Sequence, residues 1–380
     1  MLKTATIVCD PVSRNASVQL GLLNMVIKSL KGYDAIIVIS PYIPDTQQQI
    51  IEEMASGNVD SLSVRRFLLH LIFRVLENNE AMLWAASWFL QALFSANSSC
   101  ANELLQTQQD STVVNISYTV PLRCRLFWNQ ATPPLETLRV MGQTNFLARI
   151  IYLLGKRFLN AIDRRIERSH FAQAEEFVNN SAYLKNLYRS MGHPSDIVLH
   201  VPREFSPIMP QENPPARDYV LVYIGKEVEV DTILELASSG IRVVSFGAKI
   251  PFGTSISELK KKVEFLGFVD DSRLSHLYYN ALFTAFPFTE EPFGWVPLES
   301  MHFGTPVLSY KRQGPSETII DNKTGWLVET KEQFIEKAML LWKMKETMIS
   351  PDECIKRADF FSLEKTAEKL NDILDGAFHE

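Results

Sequence analysis

Apolar residues fall along this chain in short blocks that alternate with amphipathic stretches. In the first half, 5–9 and 35–40 (AIIVIS) read as strands, and VQLGLLNMVIKSL between them has the spacing of a helix. VVNISY (113–118) and RLFW (125–128) are further strands, 143–170 is one long helical stretch, and a short strand at 176–180 leads into a helix from Ser181. FLLHLIFRVL (67–76) and AMLWAASWFLQALF (81–94) are shorter than the roughly 18 apolar residues that span a bilayer, so they read as buried or interfacial helices. The periodicity fails at REFSPIMPQENPPARD, where prolines crowd and large apolar residues thin out.

After this break the rhythm restarts. YVLVYIG (219–225) is a strand, VDTILELASSG a helix and IRVVSFG a strand. VEFLGFV (263–269) reads as a strand, and DSRLSHLYYNA as a helix capped by Asp271 or Ser272. ALFTAFPF and TPVLSY are strands, with a short helix at 316–320 and an edge strand at TGWLVE. Helices at 331–346 and 363–376 close the chain. Such alternation implies parallel sheets covered by helices. The boundaries are 1–203 for a first Rossmann-like domain, 204–217 for a linker and 218–362 for a second domain, with 363–380 a helix crossing back to the first. The fold class is α/β, two domains facing a cleft, and 380 residues suit two cores better than one.

Bulk chemistry removes several functions. The net charge of −6 argues against a nucleic-acid binder. Cys9, Cys100, Cys124 and Cys354 are scattered without paired spacing and read as free thiols of a reducing compartment. The opening MLKTATIVCDPVS reads as a first strand, not a secretory signal. There is no GxGxxG, no GxxxxGK[ST], no HExxH and no GxSxG, and no Asp-x-Asp pair that would place a metal on a sugar diphosphate.

Two carboxylates stand out in the apolar stretch TEEPFGWVPLESMHFGTPVLSY. Glu291 falls in a turn after a strand, and Glu299 about one helical turn beyond the helix start near Trp295. Gly294 lets backbone approach a ligand, the free N–H groups of the helix start suit a phosphate, and carboxylates accept from sugar and ribose hydroxyls.

At these residues the chain, from Tyr219 to Val328, resembles the donor-binding domain of GT-B glycosyltransferases of family 4. The family's Glu-x7-Glu motif, EGFGxxxLEAMAxGxPVV, stands here as EPFGWVPLESMHFGTPVLS. Its LGfV segment stands in FLGFVDDSRLSHLYYNALFTAFP, and its GG.pE.i.dg.tGxLV as QGPSETIIDNKTGWLVE. The resemblance implies a retaining, metal-independent transfer of a hexose from a nucleoside diphosphate sugar to a glycan, lipid-linked or protein hydroxyl. No cofactor is implied, only a UDP- or GDP-sugar as donor. It implies that Glu291 contacts the transferred sugar, and Glu299 the ribose. It also implies that backbone N–H groups of Phe293, Gly294, Trp295 and Val296 meet the sugar or diphosphate, and that Phe268 and Val269 lie along the base. The family's Gly-Arg after the first strand of this domain stands as Gly225–Lys226, which assigns Lys226 to the leaving diphosphate. The family's second cation, a Lys about five residues later, has no counterpart: Glu227 and Glu229 occupy the neighbourhood. Lys249 and Arg14 are candidates for its replacement.

The first half should hold the acceptor. AEEFVNNSAYLKNLYRSMG resembles the family's ADxVIANSxxTKxxLxxxxG, and CRLFWNQATPP resembles a strand and loop in which Gln130 stands where many members carry a histidine. DPVSRNAS replaces the usual glycine-rich loop. Its Ser13, Arg14 and Asn15 either contact a phosphate or form an ordinary polar loop. Two readings are open for 146–168, where Arg149, Lys156, Arg157, Arg164, Arg165 and Arg168 interleave with apolar residues: a solvated basic face, or contact with an anionic membrane surface from the cytoplasmic side. The alternative to an enzyme is a non-catalytic nucleotide-sugar-binding or scaffolding protein. A nucleotide-sugar epimerase of the same fold suits the order of motifs poorly.

Overall fold

The computed structural model describes residues 3–14, 17–54, 61–66, 70–106, 111–141, 146–193, 195–202, 204, 214–225, 227–247 and 256–377. The chain divides into two compact units. Unit 1 takes Met1–Leu135, Leu154–Pro202 and Leu363–Glu380, and unit 2 takes Glu136–Leu153 and Arg203–Ser362.

Unit 1 is built on six parallel strands: β1 Thr4–Val8, β2 Ala35–Ser40, β3 Ser61–Arg66, β4 Ser111–Asn115, β5 Cys124–Asn129 and β6 Ala174–Asn179. Their order is β3-β2-β1-β4-β5-β6, so the chain reverses its direction of travel between β1 and β4. Helices cover both faces, which is why AIIVIS reads as a continuous apolar run instead of an alternating one. The C-terminal helix Leu363–Leu374 belongs to this unit. Lys369 Nζ donates to Val198 O (2.8 Å), Asn371 Nδ2 to Ser29 O (3.0 Å), and the Arg125 guanidinium to Ile373 O (3.1 Å) and Leu374 O (3.2 Å).

Unit 2 repeats the design with β7 Val220–Tyr223, β8 Val243–Phe246, β9 Glu264–Phe265, β10 Phe283–Phe286, β11 Val307–Tyr310 and β12 Gly325–Val328. The order β12-β11-β10-β7-β8-β9 is again all parallel, with its switch between β7 and β10. Both sheets are thus doubly wound α/β sheets, and in such sheets ligands bind beyond the carboxyl ends of the strands at the switch point.

Some elements differ from the sequence expectation. VEFLGFV yields only the two-residue edge strand β9. The helix expected to be capped by Asp271 or Ser272 is capped earlier in the chain, by Asp270, whose carboxylate accepts from Arg273 N (2.8 Å). Ser181, in contrast, does cap the helix Ala182–Ser190, accepting from Leu184 N at 3.2 Å. The strand β3 and the helices Ala96–Gln106 and Pro351–Asp359 carry too few apolar residues to stand out as apolar blocks. Most of the proline-rich linker lies outside the described residues. Its end is pinned to unit 2 by Ala216 N donating to Asn280 Oδ1 (3.1 Å) and Arg217 N to Asn280 O (2.9 Å). Among the described residues no helix is long and apolar enough to cross a membrane.

Candidate functional site

The switch point of unit 2 is assembled from three loops. The loop after β7 and the loop after β10 are strapped together: Thr289 N donates to Glu227 O (2.6 Å), Glu229 N to Pro287 O (2.9 Å), and Val228 bridges to Phe288. The loop after β11 closes the third side. Gln313 Oε1 accepts from Glu291 N (2.7 Å), and Gly314 N donates to Glu291 O (3.0 Å). Gly314 is required by this approach, since a Cβ there would stand 2.2 Å from Phe293 Cα. Gly294 ends the turn with φ of +101°, a conformation L side chains rarely adopt, and the helix Trp295–His302 follows.

This geometry fixes both acids. Glu291 lies half-buried in the turn, and its carboxylate accepts from the N–H of Phe293 at 3.2 Å. Burial raises the Glu291 carboxyl above the usual carboxylate range, the charge of Glu227 adds to the rise, and the N–H groups of Phe293 and Gly294 oppose it. Glu299 stands in the second turn of the helix, and its Oε2 accepts from the hydroxyl of the buried Tyr278 at 3.0 Å. Phe293 and Gly294 are buried, Trp295 and Val296 are half-buried at the helix start, and Gly225 is buried just beyond β7. Phe268 follows β9 with 83% of its surface exposed, next to the half-buried Val269. The sequence-expected residues Glu291, Glu299, Phe293, Gly294, Trp295, Val296, Phe268, Val269 and Gly225 all lie in unit 2. Lys226 and Lys249 lie outside the described residues.

Three acids and one cation at these loops carry no weight in the sequence reading as site residues. Glu227 and Glu229 come from the loop after β7, and the buried Glu290 accepts from Thr137 Oγ1 at 3.2 Å. Arg312 comes from the loop after β11. Its Nη2 donates to Glu229 Oε1 (2.9 Å) and Phe288 O (2.5 Å), and its guanidinium stands 4.4 Å from the centroid of the Tyr310 ring. The available sequence signal is the pair Lys311–Arg312 just before the QGPSE segment.

Unit 1 holds the other candidates. Ser13 is fully buried. Arg14 is bound to the buried Glu77 at 2.7 Å, while Glu77 also accepts from Tyr42 Oη. That pairing holds the Arg14 side chain beside Glu77 with half of its surface still exposed. Gln130 is held by Asn180, whose Nδ2 donates to Gln130 O at 3.1 Å. Asn15 lies outside the described residues. Sequence reasoning also missed a buried acid pair on the long helix Phe146–Gln173: Asp163 and Glu167 are 1% and 2% exposed. Burial pushes each carboxyl up to about 7, and the Asp163 charge adds to the rise at Glu167. Burial holds the neighbouring His170 down at about 4, so its ring is neutral, with Nε2 against Tyr118 O at 2.9 Å.

Comparison with known proteins bears on the family segment and on the fold. Residues 255–359 match the family "Glycosyl transferases group 1". The alpha-1,3/1,6-mannosyltransferase ALG2 of Candida glabrata is 38% identical over 119 residues, covering 29% of this chain and 23% of that protein. Its Eremothecium gossypii counterpart is 40% identical over 83 residues, covering 20% and 16%. The chain thus spans a quarter or less of the curated relatives it matches. Solved structures align along nearly the whole chain. Anabaena HepE in complex with UDP gives a TM-score of 0.60 at 14% identity, covering 98% of this chain and 100% of that one. The lipopolysaccharide outer core galactosyltransferase WaaB in its apo form gives 0.61 at 12%, covering 99% and 100%. At such identities the likeness shows the fold, which is GT-B.

Proposed function

We propose that this chain, a GT-B protein with a group 1 glycosyltransferase segment in its second unit, moves a hexose from a nucleoside diphosphate sugar to a hydroxyl acceptor. The observation that carries the reading is the strand–turn–helix after β10, which sets Glu291 and Glu299 on either side of a helix N-terminus at the sheet's switch point. The N-terminus accepts an anion, and the two carboxylates accept from hydroxyls, so one nucleotide sugar satisfies all three. Glu299 is held for the ribose by Tyr278, and Glu291 faces the transferred sugar. Gly225 and Lys226 approach the diphosphate, and Phe268 and Val269 border the base. The donor is a UDP- or GDP-sugar.

The transfer is retaining and metal-independent. The bond from the anomeric carbon to the phosphate oxygen breaks, the bond to the acceptor oxygen forms on the same face, and the acceptor's proton passes to the departing phosphate. No Asp-x-Asp pair stands in the sequence to bring a metal to that phosphate. A thermal-shift panel of UDP-, GDP- and ADP-sugars tests donor binding, since a ligand of the folded state raises the melting temperature. A shift with one of them, lost in Glu299→Ala, supports the reading, and no shift with any sinks it.

The acceptor is a glycan, lipid-linked or protein hydroxyl, bound by unit 1 around Ser13, Arg14, Asn15 and Gln130, and the protein acts on the cytoplasmic side at a membrane surface. The support is a patch where two helices of unit 1 meet. Phe94 (70% exposed), Leu93 and Phe89 stand on Glu80–Phe94, and Leu154 (85%) and Phe158 on the long helix that also carries Arg157 and Arg165. Arg165 Nη2 donates to Ser95 Oγ (3.2 Å), which ties the two helices at that patch. Apolar side chains beside arginines suit an anionic lipid surface. Co-sedimentation with anionic vesicles at low salt, weakened at high salt, is the expected result.

The acids Glu227 and Glu229 favour one competing reading, a binder that does not catalyse. Wild-type protein that binds a nucleotide sugar yet releases no sugar to water or to any acceptor would establish it.

A further inference from the structure

The loops at the switch point of unit 2 carry four carboxylates, those of Glu227, Glu229, Glu290 and Glu291. A nucleoside diphosphate brings two or more further negative charges. A helix N-terminus is worth about half a charge and Lys226 one more, so a further cation at these loops favours the bound diphosphate. The structure brings Arg312 to these loops. Its Nη2 reaches Glu229 on the β7 side (2.9 Å) and Phe288 O on the β10 side (2.5 Å), so it touches both strapped loops from the third. The next two residues are those that grip the Glu291 backbone.

The ion pair with Glu229 is built to open. The Arg312 side chain is 41% exposed against 19% for Glu229, so water reaches the guanidinium and weakens its hold on the carboxylate. Glu229 does not depend on it, because its Oε2 accepts from Tyr310 Oη (2.7 Å) and Thr232 Oγ1 (3.1 Å). Arg312 lies over the Tyr310 and Phe288 rings, 4.4 and 5.3 Å from their centroids, which gives the guanidinium a flat support while one edge changes partner. A planar fork of donors is also the side chain best matched to two phosphate oxygens.

We propose that Arg312 is a diphosphate-binding residue that exchanges Glu229 for the donor's phosphate oxygens, and so supplies a second positive charge beside that of Lys226. This rests on the nucleotide-sugar reading, and the experiment separates the two. Titration calorimetry of the full chain with UDP, GDP and the corresponding nucleoside monophosphates is run on the wild type, Arg312→Gln and Arg312→Lys. The expected result is at least a tenfold loss of diphosphate affinity in Arg312→Gln, recovered in part by Arg312→Lys. Monophosphate affinity changes by less than threefold, and the salt dependence of diphosphate binding becomes shallower. Equal diphosphate binding by wild type and Arg312→Gln overturns the inference alone. Equal loss of mono- and diphosphate also overturns it, because Arg312 then merely supports the loops. Wild type that binds no nucleotide overturns the transfer reading and this inference together. A thermal melt of each variant reports whether the loops still fold, and Arg312→Lys tests the charge should the Gln variant not.

Discussion

At the scale of single residues, Glu291 is the most constrained group of the candidate site. Burial and Glu227 raise its carboxyl, so the folded state holds a proton that the unfolded chain has already released. Between the ordinary carboxylate range and the raised folded value, stability therefore falls as pH rises. Glu291→Gln removes this dependence. The variant's melting temperature should gain on the wild type between pH 5 and pH 8, and an unchanged difference would show that the carboxyl ionises freely. The same variant should keep UDP or GDP binding within a fewfold and lose sugar transfer, because the proposed function sets Glu291 against the transferred sugar. Glu299→Ala should do the reverse, weakening the nucleotide by about 1.5–3 kcal/mol, the usual range for a hydrogen bond to a charged acceptor. Titration calorimetry with the free nucleotide and with its sugar conjugate distinguishes the two. Both acids were legible in the sequence because their spacing across a turn and helix is itself the geometry. Arg312 was not, because its partner Glu229 lies 83 residues away and no local pattern links them.

Among the elements, the loop after β11 acts as a buckle on the turn that carries Glu291. Gly314→Ala places a Cβ 2.2 Å from Phe293 Cα and 2.4 Å from Phe293 N, both rigid backbone atoms, so the turn must shift. The expected outcome is loss of nucleotide-sugar binding together with several degrees of melting temperature, checked by thermal shift with and without UDP-sugar. Ser181→Ala is the contrasting case in unit 1. It removes one helix cap, costing about 0.5–2 kcal/mol, and leaves nucleotide binding unchanged. These two elements also mark where sequence pattern suffices. Strands buried on both faces, such as β2 and β11, announce themselves as apolar runs, and Ser181 announces its helix by standing before it. PDECIKRAD does not: the helix Pro351–Asp359 buries only Cys354 and Ala358, too few apolar residues to form a block that stands out. β9 was overread for the opposite reason. Its apolar residues run on past Phe265, but an edge position gives them one neighbouring strand, and pairing with β8 stops after two residues.

For the whole molecule, the buried pair Asp163 and Glu167 sets how unit 1 responds to pH, and unit 2 has no counterpart on its own helices among the described residues. Asp163 Oδ2 accepts from Leu135 N at 2.9 Å, and Glu167 Oε2 lies 3.5 Å from His193 Nε2. Burial and the Arg168 and Arg164 charges lower His193, so near neutral pH it brings no full positive charge to the pair. Tyr118 and Tyr188, both buried, are pushed up and stay protonated. With folded values of about 7 against roughly 4 in the unfolded chain, each carboxyl holds an extra proton in the folded state between those limits. Its contribution is fully present below about pH 4, is lost as pH rises toward 7, and is flat above. Unit 1 should therefore lose on the order of a few kcal/mol over that window. The double variant Asp163→Asn, Glu167→Gln should lose much less, because a neutral amide has nothing to ionise. Hydrogen exchange followed by mass spectrometry at pH 5 and pH 8, corrected for the intrinsic rate, reads the units separately. Faster exchange at pH 8 in β5, β6 and the long helix of the wild type, flattened in the double variant, is the expected outcome. An identical pH response in both proteins would mean that the pair ionises without penalty and that water reaches it in solution.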